Sequence, residues 1–451
     1  MRTLLRNRNF ARLFAGRLVT NVGDSVYYVA AMWLVYDLAN DPLYSGIAGF
    51  LTMGPAALQF LFGPLVDRSD LRRVLVGTQV AQGVLVLVVP LAAALDALSA
   101  RVVLAVMPTL SLLNQFVYPA QTAALLRILD DEELVRANSA FALAYQGADA
   151  VFNAVGGVLV ALVGAVSLFL ADAVTFAVSA ALFATLSVPP AADGASDGGT
   201  TDDGAAAAGS GDTAVADDGE GPADDESAYL ADLREGVAVL RGSVLAFVVA
   251  GAAFVNLAAG ATFATLPAFA DTVGGAEAYG VLAAGNFVGA LVASALEDYP
   301  FGRVSVACFA VSGALWSGAV AASPFPVTVA LFGLAFVPVG VVNVLLAALV
   351  QAGVPDGLVG RVSSVLGSAS MVATPVGALA GGALAGLLGP APVVGAGGAF
   401  MLVLAGYWVV CRRSAACRRS TRCPSTPTRP PEGRRAEPLN RHIAYCDSCS
   451  T

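Results

Sequence analysis

The sequence predicts an all-α polytopic membrane protein of twelve transmembrane helices in two related, pseudo-symmetric six-helix bundles. Three observations predict it: an apolar composition divided into spans of membrane length, arginines gathered at alternate breaks between them, and an internal repeat. Of the 451 residues, 57% are hydrophobic and 13% charged, a balance foreign to soluble domains. Continuous Ala, Val, Leu, Gly and Phe runs of roughly 18–25 residues suit helices crossing about 30 Å of hydrocarbon. Barrel strands would alternate apolar and polar residues instead.

The apolar runs place helices near 13–37, 45–66, 73–95, 102–126, 138–163 and 166–187, then 244–270, 279–297, 303–321, 326–350, 360–388 and 392–410. Ahead of the first, Met1 to Phe14 carries Arg2, Arg6, Arg8 and Arg12 without a small-residue cleavage pattern, so this helix is expected to be retained. Arginine then sets orientation, because cytoplasmic loops near helix ends are enriched in it. Arg17, Arg68, Arg72, Arg73, Arg127, Arg136, Arg234, Arg241, Arg303 and Arg361 fall on the side of the N-terminus, and the opposite side has Arg101. Both termini are expected in the cytoplasm of a multi-pass protein of the cell membrane.

The chain has no lysine, 24 arginines and 33 acidic residues, the usage of a protein from a high-salt habitat. So acidic a chain speaks against a nucleic-acid partner. Residues 1–188 form the first expected bundle. Residues 189–228 hold acids among Gly, Ala, Ser and Thr with no basic residue, a composition expected to stay disordered. Residues 229–243 place Leu230, Leu233, Val237 and Leu240 on one helical face, giving either an amphipathic surface helix or an extension of helix seven. Residues 244–410 form the second bundle.

The repeat pairs Arg136 to Gly164 with Arg361 to Gly389, without a gap, at an offset of 225. Arg136/Arg361, Ser139/Ser364, Gly156/Gly381, Gly157/Gly382 and Gly164/Gly389 are identical, with Asp131/Asp356 just upstream. A fainter echo, Asn21/Asn256 and its neighbours, pairs helix one with helix seven. A parallel two-half repeat is a transporter architecture with its site between repeats at the midplane. The paired glycines are expected to be packing seams.

Between helices two and three the chain reads Gly63-Pro-Leu-Val-Asp67-Arg68-Ser-Asp70-Leu-Arg72-Arg73. This resembles the signature loop of the major facilitator superfamily, with Asp70 where much of the superfamily has Gly. Asn7-Arg-Asn-Phe10, Asn21-Val-Gly-Asp24, Trp33-Leu-Val-Tyr36-Asp37 and Asp232-Leu-Arg-Glu-Gly236 resemble the macrolide-efflux and enterobactin-exporter branch of drug:proton antiporters. The resemblance implies alternating access and solute export. In it, Gly63, Asp67, Arg68, Arg72, Arg73 and Asp131 are a cytoplasmic gating loop. Asp67 would face the start of helix eleven, and the arginines would pair with Asp130, Asp131, Glu132 or Glu133. The plainer alternative is a solvated, topology-setting loop.

Asp24, Asp149 and Asp172 lie inside expected helices, where a carboxylate must be paired, protonated or wetted. Asp24 shares a face with Asn21 and Tyr28, and Asp149 with Tyr145, Gln146 and Asn153. These eight, counting Asn256 from the second half and leaving Asp172 aside, are the candidates for proton coupling or a substrate cavity. Asp24 stays open between coupling and helix packing; Asp172 is expected near the outer surface in a structural role. Asn286 and Asn343 are lesser cavity candidates. No arginine is expected at the midplane, which favours a neutral, cationic or amphipathic solute.

The expected function is therefore proton-coupled efflux of a small molecule by a monomer in the lipid bilayer, powered by the proton gradient. No cofactor, metal or catalytic site is expected, and no nucleotide-binding loop is present. The alternatives are a lipid or siderophore translocator, or a non-transporting membrane sensor or assembly protein. Residues 411–451 carry nine arginines, five of the six cysteines and the one histidine, and read as a disordered or non-native tail.

Overall fold

The computed structural model describes residues 4–62, 65–66, 69–189, 244–275, 278–279, 282, 301–322, 325–353 and 356–420. All regular elements among them are helical. The chain runs α1 (Arg8–Ala39), α2 (Pro42–Met53) with a 3₁₀ continuation Gly54–Leu61, α3 (Leu71–Val86), α4 (Val88–Ala94), α5 (Ala100–Asn114), α6 (Val117–Ile128), α7 (Asp131–Val163) and α8 (Ala165–Ala184). It resumes with α9 (Val244–Val273), α10 (Phe301–Ala321), α11 (Phe325–Gly353), α12 (Asp356–Leu388) and α13 (Pro390–Ser420). Nine membrane-length apolar helices are found among the described residues, counting α3–α4 and α5–α6 as one span each. Expected helix 279–297, the linker 189–228, the segment 229–243 and the tail beyond Ser420 lie outside the described residues, save for the few named above.

Three spans of the first half are broken where the sequence reading had them continuous, and each break has a proline. Pro55 lacks the N–H that would bond Leu51, and α2 tightens to 3₁₀ from Gly54. Pro90 separates α3 from α4 in the same way, and Pro119 separates α5 from α6. Helix starts are capped by short polar side chains. Asn7 accepts from the Asn9 and Phe10 amides, and Asp41 from Leu43. Gly164 and Gly389, the equivalent ends of the repeat, both turn the chain at positive φ (+81° and +86°), where a side chain is strained.

The described helices form two compact units. One holds α1–α8 with α9 from Asn256 and the stretch Ser370–Val394; the other holds the start of α9, α10, α11, the start of α12 and α13 from Gly395. In the first unit α1 is central, packed on α7 and α8. Phe10, Phe14, Phe141 and Tyr145 stack between α1 and α7. Arg12 and Arg72 donate to the Thr185 and Ala184 carbonyls at the end of α8, and Asn7 and Asn9 reach Ile128 and Ser187. These bonds satisfy carbonyls that a helix end otherwise leaves open.

Helix crossings in this unit use missing side chains. A Cβ on Gly46 of α2 would fall 2.8 Å from Gly382 Cα, and one on Gly381 would fall 2.4 Å from Ala261 Cα. The second unit is centred on Trp316, Phe332 and Phe336, with Ser312 donating to the Ala335 carbonyl. There α10 meets α13 through Gly313 and Gly398.

Candidate functional site

Helix α1 presents Arg17, Asn21, Asp24, Ser25 and Tyr28 at spacings of three and four, so they share one face. Opposite Asn21 and Ser25 stands Asp149 of α7. Its Oδ1 accepts from Asn21 Nδ2 at 3.1 Å and lies 2.7 Å from the Ser25 hydroxyl. That hydroxyl also lies 2.8 Å from the Asn21 carbonyl and has one proton to give to either acceptor. Asp24 and Asp149 line a single cavity of about 270 Å³, together with Tyr27, Tyr28, Thr52, Gln82, Ser111 and Asn114. Asp24 has no hydrogen-bond partner among the described residues.

Arg17 is placed otherwise than its charge suggested. Its place in the sequence put it with the arginines on the side of the N-terminus; it is 8% exposed inside the bundle. Its Nε donates to Gln121 Oε1 at 2.8 Å and approaches the Tyr145 hydroxyl at 3.1 Å, and the guanidinium lies 5.5 Å from the Tyr145 ring centre. Tyr145 in turn donates to Gln121 at 2.5 Å. Nη1 is buried without a partner, and no carboxylate among the described residues lies within 4.0 Å of the guanidinium. Tyr145 therefore belongs to the arginine's cradle and is absent from the wall of the Asp24 cavity.

Asp172 of α8 packs against α1. It is 1% exposed, at the depth of Gly23, where a Cβ would fall 2.3 Å from its Oδ1. Thr175 donates to that oxygen at 3.0 Å, and Oδ2 is unpartnered. Three carboxylates and one guanidinium thus share the interior of the first unit.

Asn256 repeats the position of Asn21, donating to Ser370 at 3.1 Å and accepting from Thr374 at 3.3 Å. Ser370 and Thr374 stand 225 residues after Tyr145 and Asp149. The same α-helical pair therefore recurs with its acid replaced by a hydroxyl. The ionisable version is confined to the first repeat.

The loop candidates divide. Gly63, Asp67 and Arg68 lie outside the described residues, as do the side chains of Asp131, Gln146, Asn153 and Asn343, and Asn286. Neither Arg72 nor Arg73 forms an ion pair with Asp130 or Glu133, the acids after α6 whose side chains are described. Arg72 reaches the α8 carbonyl end, and Arg73 forms an exposed 3.5 Å pair with Asp70 of its own turn. Asp70 caps α3, accepting from the Arg73 amide at 3.1 Å. The aspartate thus fixes the start of α3 through its side chain. Cys308, expected to be buried, is partly buried.

Residues 13–374 match the Major Facilitator Superfamily. The chain belongs to that superfamily. No curated protein matches the chain. Its fold is similar to a bacterial homologue of the human lysosomal transporter Spinster in an inward-facing, unoccupied conformation (TM-score 0.61, 13% identity, 90% of this chain and 96% of that one). It is similar also to a bacterial homologue of the iron transporter ferroportin in the inward-facing state (0.60, 16%, 90% and 99%). A third likeness is to the nucleoside transporter NupG (0.58, 14%, 92% and 99%). This major facilitator protein is a transporter rather than an enzyme.

Sequence reasoning missed Arg17, Ser25, Thr52, Gln82, Ser111, Asn114 and Gln121. Gln79, Gln82, Asn114 and Gln121 did leave a signal: each is an amide inside an apolar run, where a polar group needs a partner.

Proposed function

We propose that this transporter is a proton-coupled exporter of small neutral, cationic or amphipathic solutes, acting by alternating access in the cell membrane with both termini in the cytoplasm. The observation that carries it is Asp24: a carboxyl midway along α1, in the wall of a polar cavity, with no hydrogen bond from the described residues. Such a group in the membrane must take a proton, water or a cation. Proton and cationic solute then compete for one site, and exchange follows from the competition. Asp149, steadied by Asn21 and Ser25, supplies a second negative charge to the same space. Arg17, two turns before Asp24 and about 10 Å along the axis, prevents the cluster from carrying three uncompensated charges.

The test uses everted membrane vesicles with an imposed pH gradient and two probes, tetraphenylphosphonium and protonated D-glucosamine. Wild type is expected to accumulate at least one of them when the gradient is present. Asp24→Asn and Asp149→Asn are each expected to remove the dependence on the gradient. Undiminished gradient-driven accumulation in both variants would reject the coupling role.

A further inference from the structure

The cavity around Asp24 has hydrogen-bonding capacity that the protein does not use. Tyr27, Thr52 and Asn114 stand in its wall. The two hydroxyls and the Asn114 carbonyl oxygen are each buried without a hydrogen-bond partner among the described residues. Buried polar atoms are ordinarily paired, so three unpaired atoms around one space indicate a partner that enters it. Asn114 Oδ1 can only accept, which requires the partner to bring an O–H or N–H.

Charge narrows the partner further. Asp149 is already served by Asn21 and Ser25, whereas Asp24 receives nothing from the described residues. Arg17 directs its Nε to Gln121 and Tyr145 and stays more than 4.0 Å from either acid. A positive charge brought by the solute therefore has an open counter-ion in Asp24. Size sets the last limit. A cavity of about 270 Å³ holds the volume of about nine waters, a little below the range of drug-sized pockets. It suits a solute of about a dozen non-hydrogen atoms.

We infer that the cavity binds a small hydrophilic solute bearing both a protonated amine, held by Asp24, and several hydroxyl groups, held by Asn114, Thr52 and Tyr27: the chemistry of an amino sugar or amino polyol. A lipophilic cation satisfies Asp24 and leaves the three wall atoms unpaired; a neutral sugar does the reverse. The inference rests on this cavity being the one that holds the transported solute.

Binding to the purified full-length protein, measured by calorimetry, tests it with three probes: D-glucosamine, D-glucose and cyclohexylammonium. D-glucosamine is expected to bind at least about tenfold more tightly than either of the others, because each lacks one half of the recognition. Asp24→Asn is expected to abolish the advantage over D-glucose, and Asn114→Leu the advantage over cyclohexylammonium. Cyclohexylammonium binding as tightly as D-glucosamine, or no probe binding to wild type, overturns the inference. The ranking is measured on wild type, so a variant that fails to fold does not decide the outcome. Binding needs no gradient, which separates the two readings. Asp24-dependent flux of tetraphenylphosphonium without D-glucosamine binding defeats this inference alone. D-glucosamine-selective binding with flux indifferent to Asp24 and Asp149 defeats the coupling alone.

Discussion

Replacing Gly377 by alanine puts a methyl group where the α9 backbone already stands. A Cβ at Gly377 would lie 2.0 Å from the Leu257 carbonyl oxygen and 2.8 Å from the carbonyl carbon, backbone atoms that no rotamer change can move. Ordinary van der Waals contact begins near 3.4 Å, so α9 and α12 must part by more than an ångström. The reciprocal contact, where a Cβ on Gly260 would lie 2.0 Å from the Thr374 carbonyl oxygen, opens with it. Overpacking that only backbone movement can relieve sits at the upper end of its usual cost, about 3 kcal/mol. Alanine recovers about 1 kcal/mol of helix propensity, leaving a net loss of about 2 kcal/mol.

Gly367, on the same helix, provides the control, because a Cβ there meets nothing within 4 Å. Gly367→Ala keeps only the propensity gain and is expected to be neutral or up to about 1 kcal/mol more stable. Thermal unfolding of the purified proteins in detergent, followed by fluorescence, should place Gly377→Ala several degrees below wild type and Gly367→Ala at or above it. Equal midpoints for the two variants would show that α9 and α12 do not cross at this distance.

Asp70→Ala removes the cap of α3 and is expected to cost about 1 kcal/mol in the same unfolding assay, with Asp70→Asn restoring most of it. Tyr36→Phe removes a 3.2 Å bond from α1 to Asp271 of α9 and should cost about 1 kcal/mol; a loss above about 3 kcal/mol would mean that the hydroxyl does more than this bond. Arg17→Met is expected to cost about 2 kcal/mol, because Gln121 and Tyr145 lose a charged donor. Adding Gln121→Leu should then cost less than it does in wild type, and strict additivity of the two losses would refute the pairing.

Span positions were legible because membrane solvation acts on every residue of a run, so composition alone registers it. The breaks at Pro55, Pro90 and Pro119 were present in the letters but hidden by averaging over whole spans. The burial of Arg17 was hidden for a different reason. The topological rule sorts arginines by nearness to a helix end, while its actual place is set by Gln121 and Tyr145, which no local pattern connects to it. The burial of Asp172 was hidden likewise, since it follows from α8 packing on Gly23. The pairing of Asn21 with Asp149 was half visible: both residues stood out as polar in apolar runs, but only tertiary packing brings α1 and α7 together. Ser25, Thr52 and Asn114 are individually ordinary, and their meaning lies in converging on one space.

The cradle of Arg17 also bears on how the protein is made. Helix α1 has the lowest hydropathy among the nine spans, and it carries an arginine, a residue that costs up to about 2.5–3.5 kcal/mol at a helix centre during insertion. The residues that offset this charge lie 104 and 128 positions later in the chain. The ribosome therefore delivers the first helix well before its guanidinium has a partner. The charge stays without these partners until α6 and α7 emerge.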